Sequence, residues 1–109
     1  MLSFDFIPET KNLRCFFKGR MDTVICAQIG PVLESKLASL PDEAEKDLSS
    51  DLILVFDLKE VEFISSSFIR ICVAFSKRVT SGHFCIENCN PFIKKTFKIA
   101  GLDAVLNVK

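Results

Sequence analysis

The segment Leu52-Ile53-Leu54-Val55-Phe56-Asp57-Leu58 is an almost unbroken apolar run of strand length, bounded by polar clusters on both sides. Continuous rather than alternating hydrophobicity predicts a strand covered on both faces, the central position of a sheet. The flanking sequence supplies elements to cover it. From Asp22 to Leu40, Val24, Ile25, Ala27, Gln28, Ile29, Val32, Leu33, Leu37 and Leu40 recur at helical spacing, with Asp22 placed as N-cap and Pro31 as an interior irregularity. Ser65-Ser66-Ser67 opens a second helix reaching about Val79. Asn90-Pro91 opens a third, with Phe92, Ile93, Thr96, Phe97 and Ala100 on its apolar face and Gly101 at its C-cap.

Further strands are expected around Phe4 and Phe6, over Leu13–Lys18 with a closing turn at Gly19, over Phe84–Ile86, and over Ala104–Val108 at the end. Pro41 to Asp51 is polar and acidic and reads as a loop or linker. The order β-β-α-β-α-β-α-β predicts an α/β domain around a mostly parallel sheet. At 109 residues the chain is expected to form one domain with a core that needs no staples.

Charge and cysteine usage narrow the function classes. Fourteen basic and 14 acidic side chains cancel, so no general field draws in nucleic acid or an anionic membrane, and composition gives no support for a local basic patch. No apolar run approaches the roughly 18 residues of a bilayer span, and the first residues do not form a secretory signal. Five cysteines without regular spacing (Cys15, Cys26, Cys72, Cys85 and Cys89) then read as reduced, mainly buried thiols of a cytoplasmic protein. Eleven phenylalanines, with no Tyr or Trp, must fill a core or a greasy contact surface.

Enzyme chemistry finds little to stand on. The single histidine, His83, forms H-x-C-x3-C with Cys85 and Cys89, but no second ligand pair completes a zinc site, so packed thiols and a surface imidazole are expected instead. No glycine-rich phosphate loop or nucleophile elbow is present. Glu60 and Glu62 read as a solvated turn after the central strand. No cofactor is expected.

The serine run is more informative, because capping needs only one hydroxyl. Either the other two are tolerated small residues, or one is a phosphoacceptor, since a helix N-terminus accommodates a phosphate. The helix that follows carries a broad apolar arc. Phe68, Ile71 and Phe75 form a shoulder beside the face of Ile69, Cys72 and Val73. Neighbouring elements cover both sides of this helix, or the shoulder is a docking patch.

The stretch from Val55 to Ile69, VFDLKEVEFISSSFI, resembles the signature of STAS domains, the family of anti-sigma factor antagonists. Gly19-Arg20-Met21-Asp22 is similar to the family's turn into its first helix, and Phe97–Asp103 to its last helix with a Gly-Leu ending. The resemblance implies a small STAS-like α/β domain, a four- to five-stranded mostly parallel sheet with helices packed on one side. It also implies a non-enzymatic partner-switching protein that binds an anti-sigma factor acting as a serine kinase, is reset by a serine phosphatase, and binds neither nucleic acid nor membrane directly.

The implied phosphoacceptor is Ser66, with Ser65 and Ser67 as neighbouring alternatives. The implied partner surface comprises Asp22, Asp57, Ser65, Ser67, Phe68, Ile71 and Phe75, with both acids beside the switch serine. The sequence departs from the family pattern in carrying Ser65 for an acid and Phe68 for a glycine. An unswitched STAS scaffold or accessory subunit, using the same face constitutively, is the alternative expectation. In either case the chain is expected to be a monomer or weak dimer.

Overall fold

The computed structural model describes residues 2–40 and 52–109; the expected loop at Pro41–Asp51 lies outside them. In chain order the elements are β1 (Leu2–Ile7), β2 (Asn12–Met21), α1 (Thr23–Ala38), β3 (Ile53–Ile64), α2 (Ser66–Ser76), β4 (Phe84–Glu87) and α3 (Pro91–Ile99). The four strands form one sheet in the order β1-β2-β3-β4. β1 runs antiparallel to β2, while β2, β3 and β4 are mutually parallel. This is the expected small α/β architecture, with a four-stranded mixed sheet.

Strand alternation decides where the helices lie. Leu13, Cys15 and Phe17 of β2, Leu54, Phe56 and Leu58 of β3, and Phe84 and Ile86 of β4 point to one face. They join one core cluster with Cys26, Ile29, Leu33 and Leu37 of α1, Phe68, Cys72 and Phe75 of α2, and Ile93 and Phe97 of α3. The helices therefore share one side of the sheet. Phe56 is the hub: its ring lies 4.8 Å from Phe17, 5.0 Å from Phe84, 6.4 Å from Phe75 and 6.5 Å from Phe68, all in tilted or edge-on arrangements.

The central strand is buried on both faces as expected, Leu54 to Leu58 without a break, but the reverse face is covered by side chains and not by helices. Val55 and Asp57 are buried but belong to a second, polar layer outside the core cluster. Arg14 of β2 donates from Nε to Asp57 Oδ2 at 3.1 Å and from Nη2 to Glu87 Oε1 at 2.6 Å. Asn88 Nδ2 and the Lys59 backbone N–H also donate to the Asp57 carboxylate. The acid inside an apolar run is thus the pin that joins three strands, and three hydrogen bonds to its carboxylate offset its burial.

Four further expectations change. Gly19 does not end β2 in a turn; at φ 96° it sits at a bulge through which β2 stays paired with β3. Glu60 and Glu62 consequently lie within β3 as exposed strand residues, not in a solvated turn. The closing strand is absent among the described residues: Ala104–Asn107 are turns, and only Val108 bridges to Ile86. There Leu106, Asn107 and Val108 spend their N–H groups on carbonyls three to five residues back, which leaves no ladder to extend. α2 also stops at Ser76, a turn short of Val79.

The helix ends follow local rules. Asp22 Oδ1 accepts from the Ile25 N–H at 2.9 Å, and Asn90 Oδ1 from the Ile93 N–H at 2.8 Å. α1 runs through Pro31 because that residue and Ala27, whose carbonyl loses its donor, are both exposed to water. Gly101, at φ 76°, closes α3 in a Schellman motif, its N–H bonding to Lys98 and the Leu102 N–H bonding to Phe97.

Phe56→Ala is expected to cost about 3–5 kcal/mol in urea unfolding, the range for emptying a fully buried aromatic site; a loss below about 1 kcal/mol would deny it the central role. Alkaline pH offers a second test. Burial, against a smaller opposing pull from Lys36, pushes the Cys15 thiol from 9.0 up to about 12, and Cys72 is likewise raised. The native state then binds more protons than the unfolded chain between these values. Stability should be intact below pH 9.0 and fall as pH rises toward about 12. Cys15→Ala should flatten that decline, and an identical slope would contradict the assignment.

Candidate functional site

The C-terminal ends of β2 and β3 meet where both helices begin. The last pairing, Met21 with Ile64, is followed by a bond from the Ser65 N–H to the Met21 carbonyl at 3.0 Å. α1 starts two residues after Met21 and α2 two residues after Ile64, so their N-termini lie side by side. The contact continues through Thr23 Oγ1 and Ser67 Oγ, 3.4 Å apart, and through Cys26 Sγ, 3.9 Å from Ser65 Oγ. Burial first, then the Asp22 charge, pushes the Cys26 thiol up against the opposing bond from Ser65; it stays a neutral packing group and not a thiolate nucleophile.

The three serines do three different things. Ser65, not Ser66, is the N-cap: its Oγ accepts from the Phe68 N–H at 3.3 Å. Ser66 is the first helical residue and is exposed, and its hydroxyl makes no hydrogen bond to the described residues. Ser67 is half-buried, faces Thr23, and accepts from Arg70 Nη2 at 3.4 Å. Neither helix carries an acidic residue in its first turn, so beyond the Asp22 cap no carboxylate of either helix start offsets the positive ends of the two dipoles around the Ser66 hydroxyl.

The expected partner surface is only partly assembled. Asp22, Ser65, Ser66 and Ser67 come together. Asp57 does not: it lies seven residues before the end of β3, on the order of 20 Å away along the strand, and is committed to Arg14 and Asn88. Phe68 and Phe75 are core residues, with 0% and 5% exposure, so the shoulder is covered by neighbouring elements. Only Ile71 of that shoulder remains half-exposed.

Thr23 and Arg70 were not singled out from sequence. The available signals were the position of Thr23 directly after a capping acid and of Arg70 one helical turn beyond Ser66. His83 stands beside the start of β3, where its carbonyl accepts from Leu54, and so lies at the far end of the sheet from Ser66. Among the described residues, no three His, Cys, Asp or Glu side chains gather as a metal site.

A sequence profile of the STAS domain matches residues 17–109. The chain belongs to the STAS domain family. No curated protein sequence matches it. Solved structures do. One is an anti-sigma factor antagonist from Mycobacterium paratuberculosis, 18% identical over 99% of this chain and 83% of that one, with a TM-score of 0.77. A STAS domain protein from Planctomyces limnophilus is 18% identical over 99% and 87%, with a TM-score of 0.76. The anti-sigma factor antagonist SpoIIAA in its unphosphorylated form is 12% identical over 100% and 88%, with a TM-score of 0.70. At these identities the likeness establishes the fold of this STAS domain.

The division of labour among the serines has a measurable consequence. Ser65→Ala should cost roughly 1 kcal/mol as a lost cap, whereas Ser66→Ala should stay within about 0.5 kcal/mol of the parent. Thermal and urea unfolding of the two variants would reverse the assignment if the larger loss fell on Ser66.

Proposed function

We propose that this STAS domain is a non-catalytic partner-switching protein. It binds an anti-sigma factor that is also a serine kinase, and phosphorylation of Ser66, reversed by a serine phosphatase, releases it. The observation that carries this reading is the exposed, unbonded Ser66 hydroxyl at the first position of α2, flanked by the start of α1. A phosphate there adds about −1.5 to −2 charges beside two positive helix ends, so the fold tolerates it while the surface changes. The docking surface on this reading is Asp22, Thr23, Ser66, Ser67 and Arg70, with Ile71 at its margin.

The departures from the family pattern leave the geometry open to a partner. Phe68, in place of a glycine, points into the core and presents no ring to the surface. Ser65, in place of an acid, still caps the helix. It does remove a negative charge beside the acceptor, and that favours the second reading, a STAS scaffold that binds constitutively without modification.

Incubation with a candidate anti-sigma factor kinase and ATP, followed by mass spectrometry and calorimetric binding, separates the two. The switch requires phosphate on Ser66, binding by Ser66→Ala equal to the parent, and at least a tenfold loss (about 1.4 kcal/mol) in Ser66→Asp, with the melting temperature of each variant unchanged. If Ser66→Asp binds as tightly as the parent, the switch is wrong and the scaffold stands.

A further inference from the structure

α3 carries a pattern that neither the core nor the serine site uses. Ile93 and Phe97 face inward. At about 100° per residue, Lys94, Lys98 and Lys95 follow one another across the opposite face, and Ile99 and Phe92 continue the same arc. All five are exposed, Phe92 at 73% and Ile99 at 76%. None of the three lysines forms a salt bridge among the described residues. Lys98 has a local reason to be there, since a cation in the last turn suits the helix dipole. Lys94 and Lys95 have none. Solubility would explain the lysines without two large apolar side chains held in water beside them.

The lysines line a shallow groove of about 720 Å³ between α3 and the C-terminal turns, with Ile99 contributing apolar wall and Asp103 standing on the other side. On a chain of zero net charge this is a local concentration of positive charge against a concave, partly apolar surface. Three lysines release too few counterions to hold nucleic acid at physiological salt. A flat bilayer does not fill a groove, and the apolar pair lies along one edge of the lysine stripe instead of beneath it. A chain segment would meet both constraints, with its carboxylates toward the lysines and an apolar side chain on Ile99 and on Phe92 just outside the groove.

We propose that the exposed face of α3 docks an acidic, apolar-studded segment of a protein partner, independently of Ser66. Electrostatic complementarity would set the rate and specificity of that encounter, and the Ile99–Phe92 edge would hold the apolar side chain once it is seated.

The test is an amide NMR titration of the intact chain with a short synthetic peptide of alternating glutamate and leucine, its glutamine–leucine counterpart, and vesicles of phosphatidylglycerol with phosphatidylcholine. The glutamate peptide should shift amides of α3 and of the turns after Gly101, with affinity falling as salt rises. Lys94→Gln/Lys95→Gln should weaken it about fivefold, the worth of two exposed ion pairs, at unchanged melting temperature. Phe92→Ser should weaken binding without altering its salt dependence. Ser66→Asp should leave the titration as it is, so failure here and failure of the switch are read on different variants. Equal binding of the glutamine peptide, response to vesicles alone, no response at all, or loss in Ser66→Asp would each overturn the proposal.

Discussion

Everything at the serine end of the molecule depends on β2 and β3 remaining paired beyond their bulges. Between Phe16 and Met21, β3 takes two more residues than β2 to cover the same ladder, and Gly19 at positive φ lets β2 follow. Had pairing stopped at Phe16 and Asp57, where the apolar run ends, the two chains would part with Ser65 still many residues away. Because it continues, the Ser65 N–H reaches the Met21 carbonyl, and two helices begin from one point. Both then return across the same face of the sheet, where Phe17 and Phe56 meet Phe68. The site is a product of strand register before it is a product of any side chain.

The two sides of the sheet are built by different physics. The helix side is apolar and closed by rings, so it tolerates little change in volume. The reverse side is held by Arg14, Asp57 and Glu87, one from each of the parallel strands. Asp57 is almost wholly buried, which makes its partners matter more than the pair itself: an Asp57 stripped of Arg14 would be a buried charge with only two neutral donors left. That arrangement gives the acid in the apolar run a structural role.

Most of the architecture was legible because it rests on local rules. Caps at Asp22 and Asn90, the Gly101 terminator and the one unbroken apolar run each act over a few residues, and each appears where the pattern places it. What was not legible depends on pairing between distant segments. A glycine after an apolar strand reads as a turn unless the partner strand is known to run past it, and Glu60 and Glu62 read as solvated for the same reason. The Phe68–Phe75 shoulder illustrates a second limit. Helical spacing shows how wide an apolar arc is, but not how much of it the sheet and a neighbouring helix cover. At the site, the acids were equivalent by sequence position and opposite in fact: Asp22 caps beside the serines, while Asp57 sits a strand's length away. The lysine face of α3 escaped composition altogether, because a neutral total conceals a local excess.

The core also constrains how any change at Ser66 can be transmitted. Phe68, two residues further on, is fully buried against Phe17 and Phe56, and Cys72 and Phe75 hold the following turns. Ser67 ties the same turn to Thr23 of α1. A close-packed interior does not slide by fractions of an ångström to relieve a surface charge, and with Ser65 already capping, a group added to Ser66 removes no bond that holds α2 in place. A phosphate on that hydroxyl would therefore leave the helix where it is and alter only the field and shape a partner meets. In this STAS domain the large apolar residue where the family has a glycine and the separation of cap from acceptor work together. On the proposed switch they would make the start of α2 a platform on which charge, rather than conformation, is the variable.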